Sequence, residues 1–248
     1  DDFEAGQRFE QYSVNSGTED YSLHQTFTLP KNIRNMTSIG RFRKSNNYVA
    51  NETRWQSEKG EHLVSLYAAR FEDQKVEELK PFPNCNILFA ACWPEREPEH
   101  RNVVVGKYRY YHDLIDTSFE LEAGKFWQQD TGAKLRIKRM FGDVSVHLTY
   151  KNTKRSGQEE NQHIGIGFSI PLTPKKDHYN KYFQLRGKPQ WNYTVSTLVG
   201  KSHNNLTPGT GDAARTFYNL DDNYFNGDRL SASYLYRNAE RLKQVDLD

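Results

Sequence analysis

Apolar and polar side chains alternate over most of the stretch 116–172. A period of two predicts β-strands whose two faces meet different environments. In the clearest strand the polar set is Ser145, His147, Thr149 and Lys151. The apolar sets of the three predicted strands are Leu135 and Ile137; Val144, Val146, Leu148 and Tyr150; and Ile164, Ile166, Phe168 and Ile170.

These three predicted strands keep their apolar sets on one face when they are folded as hairpins. Gly142-Asp143 suits a two-residue turn, because a type II′ turn prefers Gly at its first central position. A polar loop over 151–163 closes the next hairpin. The predicted cross-strand pairs are Phe141 with Val144, Ile137 with Leu148, Leu135 with Tyr150, Lys138 with His147, Tyr150 with Ile164, Leu148 with Ile166 and Val146 with Phe168.

The opposite face of the predicted sheet is ionic. If the turn around Asp130-Thr131-Gly132 has an odd number of residues, Glu122 falls opposite Lys138 and Phe126 opposite Lys134. Carboxylates and basic side chains then form one ladder, which suits either the lumen of a barrel or an ordinary solvated strand face. The residues predicted to line a lumen and to contact a glycan are Glu120, Glu122, Lys134, Arg136, Lys138 and His147.

Hydropathy limits how such a chain could enter a membrane. The sequence has no run of about 18 apolar residues, so a transmembrane helix is excluded. The mean hydropathy of −0.92 is still compatible with a transmembrane barrel. Each strand of such a barrel needs only about 9 to 11 residues with apolar side chains at alternate positions. The formal net charge of +2 offers no overall attraction to nucleic acid.

The connections between the predicted strands differ in length. We count about ten strands through Leu172, and the longest connections alternate with short ones, so they meet at one end. Long loops at one end and short turns at the other are typical of outer-membrane barrels. The sequence therefore predicts an all-β fold, an antiparallel up-and-down transmembrane β-barrel of about 10–12 strands within 1–174.

Residues 175–248 change character, and we expect an irregular C-terminal tail or plug in the periplasm. One further strand is predicted from Trp191 to Val199. Helical spacing predicts a short amphipathic C-terminal helix. The residues that carry this spacing are Leu230, Tyr234, Leu235 and Leu242.

Aromatic and basic residues bear on whether the apolar face meets lipid. Trp127, Phe141 and Tyr150 fall on that face near strand ends, as an aromatic girdle requires. Lys125 and Arg139 fall there too and fit only close to an interface, because Arg or Lys at the midplane costs about 2–4 kcal/mol. The expected location is the bacterial outer membrane.

Cys85 and Cys92 lie in the longest predicted connection. They are candidates for a small disulfide loop of an exported protein, since no His lies near them in ligand spacing; two buried free thiols are the alternative. The sequence opens at DDFEAGQRFE without the pattern of a signal peptide. We therefore expect a mature or excised part of a longer protein.

The sequence contains few patterns of catalytic chemistry. Its eight His residues are scattered, so no metal site and no cofactor are predicted. Gly209-Thr210-Gly211-Asp212 is a weak phosphate-binding pattern and is better interpreted as a turn. Glu120 and Glu122 could form a glycosidase pair, but their basic neighbours favour two ionised carboxylates and hence an ion ladder.

Alternation is also found in soluble β-sandwiches and jelly rolls. The alternative function is therefore a soluble, envelope-associated all-β carbohydrate-binding module with aromatic stacking platforms. A third hypothesis is a barrel-embedded enzyme that acts on lipid or glycan. The candidate platforms of the soluble module are Trp55, Trp93, Trp127 and Trp191.

Three motifs in 106–177 resemble a known family. They are a Gly-x-x-x-x-x-Asp-x-Gly-Ala strand turn, Arg139-x-Phe141, and the closing strand Gly-x-x-x-Ser-Ile-Pro within HIGIGFSIPLTPKKD. In these features the chain resembles the YjbH/GfcD/WbfB group of bacterial outer-membrane proteins linked to exopolysaccharide and capsule formation. The likeness is weaker over RGKPQWNYTVST and DRLSASYLYRN and vague before Val103.

Members of that group are considerably longer than this chain and are thought to be barrels. The resemblance therefore implies the C-terminal portion of a non-enzymatic protein that serves export or assembly of a surface polysaccharide. The partners it implies are that polysaccharide, outer-membrane lipids and other proteins of an export machinery. It supplies no catalytic residue.

Overall fold

The computed structural model describes ten long strands and the connections between most of them. Residues 20–42, 46–73, 100–142, 144–157, 159–171, 178–179, 184–185, 190–200, 210–216 and 218–223 are described, together with 232, 235, 236 and 239. The predicted first strand, within 1–19, and the insertion that holds Cys85 and Cys92 lie outside these ranges. Of the predicted C-terminal helix, only scattered residues such as Leu235 and Tyr236 are described, with helical backbone.

One antiparallel sheet contains all ten long strands in the order β1 to β9 and then β12. The long strands are β1 Tyr21–Leu29, β2 Ile33–Phe42, β3 Asn46–Gln56, β4 His62–Asp73, β5 His100–His112, β6 Thr117–Lys125, β7 Thr131–Phe141, β8 Val144–Lys154, β9 Glu160–Pro171 and β12 Gln190–Leu198. The minor elements are a β10–β11 pair (His178–Tyr179 and Gln184–Leu185), a 3-10 helix (Asp113–Ile115) and a one-turn helix α1 (Leu220–Asn223). No described helix has the length and apolar character needed to cross a membrane.

The all-β, antiparallel up-and-down architecture predicted from the sequence is confirmed. The strand predicted from Trp191 is β12, and it pairs with β9, so the sheet continues beyond residue 174. Within the described residues the sheet is open, with β1 and β12 as its two edges. Closure into a barrel is therefore not found among these strands.

The predicted registers of β7, β8 and β9 are all confirmed, from Phe141 opposite Val144 to Val146 opposite Phe168. The predicted register of β6 against β7 is wrong by four residues. Glu122 lies opposite Lys134 and Glu120 opposite Arg136. The reason is the turn, which spans 126–130, whereas the predicted pairs are symmetric about Asp130. The turn is closed by a 2.8 Å hydrogen bond from Phe126 N to Asp130 O.

The two faces of the sheet have opposite polarity. We call the face that contains Lys107, Glu122 and Lys134 the inner face, and the opposite one the outer face. Inner-face residues are mostly buried although many are charged. Large apolar side chains that are exposed within the described strands all lie on the outer face, and each long strand contributes at least one. This arrangement inverts the usual pattern of a water-soluble sheet, whose apolar face is covered.

The two ends of the strands also differ. The short-turn end holds the connections β1–β2, β3–β4, β5–β6 and β7–β8, and the long-loop end holds β2–β3, β4–β5, β6–β7 and β8–β9. Only β4–β5, over 74–99, is long; the other connections at both ends have two to five residues, so the predicted difference in length rests on that one connection. At the long-loop end the inner face has an aromatic cluster. Trp127 packs edge-on against Phe71 and Phe42, with centroid distances of 4.8 and 5.6 Å.

Trp127 corrects two predictions. It is buried in the hydrophobic core and stacks under the guanidinium of Arg101, which lies 4.4 Å from its ring centroid. It is therefore neither a girdle residue on the apolar face nor an exposed platform for a sugar. The cause is that β6 ends at Lys125, so the turn carries Trp127 over the inner face.

The packing around Gly167 explains why the closing strand motif has a glycine at this position. It lies opposite both His147 on β8 and Thr194 on β12. His147 Nε2 hydrogen-bonds to Thr194 Oγ1 at 3.0 Å, reaching over the intervening strand. A Cβ at Gly167 would collide with both of these atoms and with the backbone oxygen of Tyr193. The glycine therefore provides the space that links β8 to β12.

We predict that Gly167→Ala destabilises the fold by about 1–3 kcal/mol, because the new methyl group overpacks a backbone contact. Denaturant unfolding of the purified protein measures the change. The matched control is Gly106→Ala, where the nearest atom to the new Cβ is Ala123 O at 3.9 Å. Equal stability of the two variants would contradict this role of Gly167.

Candidate functional site

The candidate site is the ionic inner face between β3 and β8. All six residues predicted from the sequence lie on it. Glu120 and Glu122 lie on β6, Lys134, Arg136 and Lys138 on β7, and His147 on β8. Because side chains alternate along each strand, this placement brings the acidic residues of β6 directly opposite basic residues of β7.

At the centre is a set of buried ion pairs that we call the ionic ladder, formed by Lys107, Glu120, Glu122, Lys134 and Arg136. Lys134 Nζ lies 2.6 Å from Glu122 Oε2. Lys107 Nζ lies 3.5 Å from Glu120 and 3.9 Å from Glu122, so it bridges the two carboxylates. Arg136 lies 3.9 Å from Glu120 and is partly exposed. Every acid of the ladder therefore has at least two basic neighbours.

Lys138 and His147 continue this face beyond the ladder. They form a directly opposed pair on β7 and β8, as predicted. The ring of His147 makes the hydrogen bond to Thr194 that is described above.

A second part of the chain covers the ladder. The covering segment consists of residues 210–216 and 218–223, which include α1. It contacts β1 at one side of the sheet and β8 at the other: the Tyr218 ring stacks on His24 with centroids 3.7 Å apart, and Asp212 pairs with Lys151. These residues belong to the tail 175–248, for which the plug or periplasmic location stays a prediction.

Asp212 is the first charged contact of the covering segment. Its Oδ1 lies 3.1 Å from Lys151 Nζ and 3.5 Å from Lys134 Nζ. Lys134 and Lys151 are directly opposite each other on β7 and β8, an arrangement of like charges that destabilises a sheet unless an anion intervenes. Lys151 also donates to Thr210 O at 3.0 Å. One carboxylate of the segment therefore neutralises a pair of facing lysines.

Asp221 is the second contact, nine residues further along. It pairs with Arg54 on β3, whose side chain is fully buried, and lies 3.6 Å from Lys107 Nζ. Arg215 of the same segment lies 2.9 Å from Asp221 and 3.6 Å from Glu122. The covering segment thus extends the ionic ladder from β6 and β7 to β3.

Backbone contacts fix the covering segment in place. Gly211 N donates to Asp130 Oδ2 at 2.8 Å, and Trp127 N donates to Asp212 O at 2.9 Å. At the other end Leu220 N donates to Glu52 Oε2 at 3.0 Å. Thr210 and Gly211 form a turn, which confirms that interpretation of the weak phosphate-binding pattern.

The chemistry of this arrangement is electrostatic. Glu120 and Glu122 are both held in ion pairs, which favours two ionised carboxylates over the one protonated carboxyl that a glycosidase pair needs. Within the described part of the chain, no group of three or more His, Cys, Asp or Glu side chains could hold a metal ion. The site is organised to hold charges of opposite sign in fixed positions.

Sequence reasoning missed half of this site. Lys107 and Arg54 lie on strands whose alternation is less clean than that of β7 to β9. Asp212, Arg215 and Asp221 lie in a tail without strand periodicity. The only sequence signal of Asp212 and Arg215 is charge in a Gly- and Ala-rich stretch, GTGDAAR, and Asp221 lies beyond that stretch.

We predict that Glu122→Gln destabilises the protein by roughly 3–5 kcal/mol, because it removes the anion shared by buried Lys107 and Lys134 and partly buried Arg215. Denaturant unfolding measures the loss. Glu72→Gln is the control, since Glu72 and Arg70 form a pair that is 53% exposed on both sides. We expect that control to change stability by about 0–1 kcal/mol. A similar small effect for Glu122→Gln would mean that the ladder is solvated.

Comparison of the chain with protein-family models, curated proteins and solved structures found no match. The resemblance to the YjbH/GfcD/WbfB group therefore remains an expectation from sequence motifs. The site itself is defined by its geometry: a buried ladder of ion pairs on one face of an antiparallel sheet, covered by a charged segment of the same chain.

Proposed function

We propose that this chain is part of a non-enzymatic outer-membrane β-barrel protein that serves the export or assembly of an exopolysaccharide or capsule. One observation carries the membrane part of the proposal: the sheet exposes apolar side chains on its outer face along every long strand and buries its charges on the inner face. Extended exposed apolar surface marks contact with a membrane or a partner. A barrel wall in lipid has this polarity.

Charged residues of the outer face support contact with lipid through their positions. Each one in the described long strands lies within four positions of an end of its strand, where a long side chain reaches the headgroup region. The basic ones are Arg41, Arg70, Lys125, Arg139 and Lys154, and the acidic ones are Glu72 and Glu160. Lys125 and Arg139, which looked unfavourable in the sequence, fit this distribution.

Aromatic residues of the outer face gather near the short-turn end. Trp55, Tyr108, Phe141 and Trp191 lie there. Aromatic rings prefer the interface between hydrocarbon and water, so this group is a candidate for one girdle of the barrel. The long strands have 9–13 residues, enough for a tilted transmembrane strand.

The proposal requires that β1 and β12 are paired in the assembled barrel. Backbone N–H and C=O groups at a sheet edge have no partners in hydrocarbon, and each costs several kcal/mol if left unpaired. Pairing of the two edges with each other, or with further strands of a longer parent protein, satisfies this requirement.

The polysaccharide part of the proposal rests on the resemblance and on charge. On β5 to β8 the inner face carries seven basic side chains and two carboxylates. This excess suits a polymer with acidic groups. The basic residues are Arg101, Lys107, Arg109, Lys134, Arg136, Lys138 and Lys151.

A soluble carbohydrate-binding module remains the second candidate, favoured by one observation. Trp191 and Tyr193 are stacked on the outer face with centroids 6.1 Å apart, and Phe168 packs edge-on against Trp191 at 5.6 Å. Such a flat, exposed group is a suitable platform for a sugar ring. Trp55 is exposed elsewhere on the same face, and Trp93 lies outside the described residues.

We predict that the protein fractionates with the outer membrane, requires detergent for extraction and migrates differently on gels before and after heating. A folded barrel resists unfolding by detergent until it is heated, which gives the two mobilities. Release from membranes by high salt without detergent would favour the soluble module and overturn the membrane proposal.

A second prediction concerns the facing of adjacent residues on β7. Leu135 is 41% exposed on the outer face, and the side chain of Arg136 is 37% exposed on the inner face. In a background with Cys85 and Cys92 replaced by Ser, we expect a lipid-soluble thiol reagent to label Leu135→Cys and a membrane-impermeant reagent to label Arg136→Cys. Because the two positions are similarly exposed, the reverse pattern would contradict the orientation of the sheet.

A further inference from the structure

We infer that Asp212 and Asp221 occupy an anion-binding site on the inner face, and that this site takes carboxylate groups of an acidic polysaccharide when the covering segment moves aside. The inference rests on the proposed function, which supplies a polysaccharide as the ligand. It adds the chemical class of that ligand, the side chains that bind it and the segment that competes with it.

The first half of the site is the facing pair Lys134 and Lys151. Two ammonium groups directly opposite each other on neighbouring strands repel unless an anion lies between them. In this structure the anion is Asp212, within 3.5 Å of both nitrogen atoms. The carboxylate of a uronic acid presents the same two oxygen atoms, so it satisfies the same pair of lysines.

The second half of the site is formed by Arg54 and Lys107. Both side chains are buried, and Asp221 contacts both of them. A guanidinium group binds carboxylates with two parallel hydrogen bonds, which favours a planar anion at this position. Two carboxylates of the covering segment therefore satisfy four basic side chains on β3, β5, β7 and β8.

Exchange of the segment for a ligand replaces the two carboxylates that the segment contributes to the inner face. Arg215 leaves with the segment, but Glu122 keeps Lys107 and Lys134 as partners. Loss of Asp221 without a replacement would be costly for the buried Arg54, because buried charges need partners, whereas Lys107 keeps Glu120 and Glu122. An acidic polymer replaces each aspartate with a carboxylate of its own, whereas a neutral glycan cannot. The covering segment therefore favours acidic polysaccharides over neutral ones, because only an acidic polysaccharide replaces the carboxylates that leave with the segment.

The half of the site at Asp212 is more accessible to a ligand than the half at Asp221. The Asp212 side chain is 50% exposed, whereas that of Asp221 is 17% exposed and lies beside a fully buried Arg54. Lys151, at 18% exposed, is also reachable from solvent. A ligand is therefore expected to enter at β7 and β8 and to displace Asp212 first.

The test measures binding of a fluorescent oligogalacturonate to the detergent-purified full chain by fluorescence anisotropy, with a neutral maltooligosaccharide of equal length as the comparison. Removing the competing charge with Asp212→Asn is expected to increase affinity for the oligogalacturonate roughly threefold to tenfold. Lys151→Gln is expected to lower it by a similar factor, and added salt should weaken binding. Neutral oligosaccharide should bind no variant.

Two matched controls distinguish an effect on affinity at this site from an effect of the protein's net charge. Asp113→Asn removes a carboxylate from the exposed 3-10 helix, and Lys154→Gln removes an exposed lysine from the same strand as Lys151. Both should leave affinity unchanged. Lys151 is partly exposed, so its variant is expected to fold and to keep the heat-dependent gel mobility of the parent.

Several outcomes would overturn the inference: no binding of oligogalacturonate by the parent and by Asp212→Asn, equal effects of the controls, or equal binding of the neutral oligosaccharide. The proposed membrane role fails by a different measurement, namely extraction without detergent. If the protein requires detergent for extraction but does not bind oligogalacturonate, the proposed membrane role stands and the proposed anion-binding site is wrong.

Discussion

Burial of charge on the inner face is the constraint on which the rest of this structure depends. Lys107, Lys134 and Arg54 are removed from water, and each needs an anion close by. The sheet supplies Glu120 and Glu122, and the covering segment supplies Asp212 and Asp221. Under the proposed function, stability and ligand binding are coupled, because the groups that hold the segment in place are those that would hold an acidic ligand.

The second main feature of the sheet is the opposite polarity of its two faces. The outer face places charge only near the ends of the described strands, while the inner face carries it in the middle. At the long-loop end the inner face is closed by the Phe42, Phe71 and Trp127 cluster.

Features of the fold and site that depend on contacts between residues close in sequence could be predicted, whereas features that depend on distant residues could not. The registers of β7, β8 and β9 followed from alternation and from a two-residue turn, both of which act over neighbouring residues. The register of β6 was wrong because the five-residue turn before β7 is held by Gly211, about 80 positions away along the chain. The position of Trp127 was wrong for the same reason, since its environment is formed by β2 and β4.

The sequence by itself determined that the chain is built from antiparallel strands with one apolar and one ionic face, because a period of two acts residue by residue. It also placed Glu120 and Glu122 beside Lys134, Arg136 and Lys138 in one ladder, but with a register that is wrong by four residues. Only the tertiary structure decided that Lys107 and Arg54 join this ladder and that Asp212, Arg215 and Asp221 cover it. Those contacts connect residues far apart in the chain, and no local pattern encodes which buried cation a distant carboxylate will neutralise.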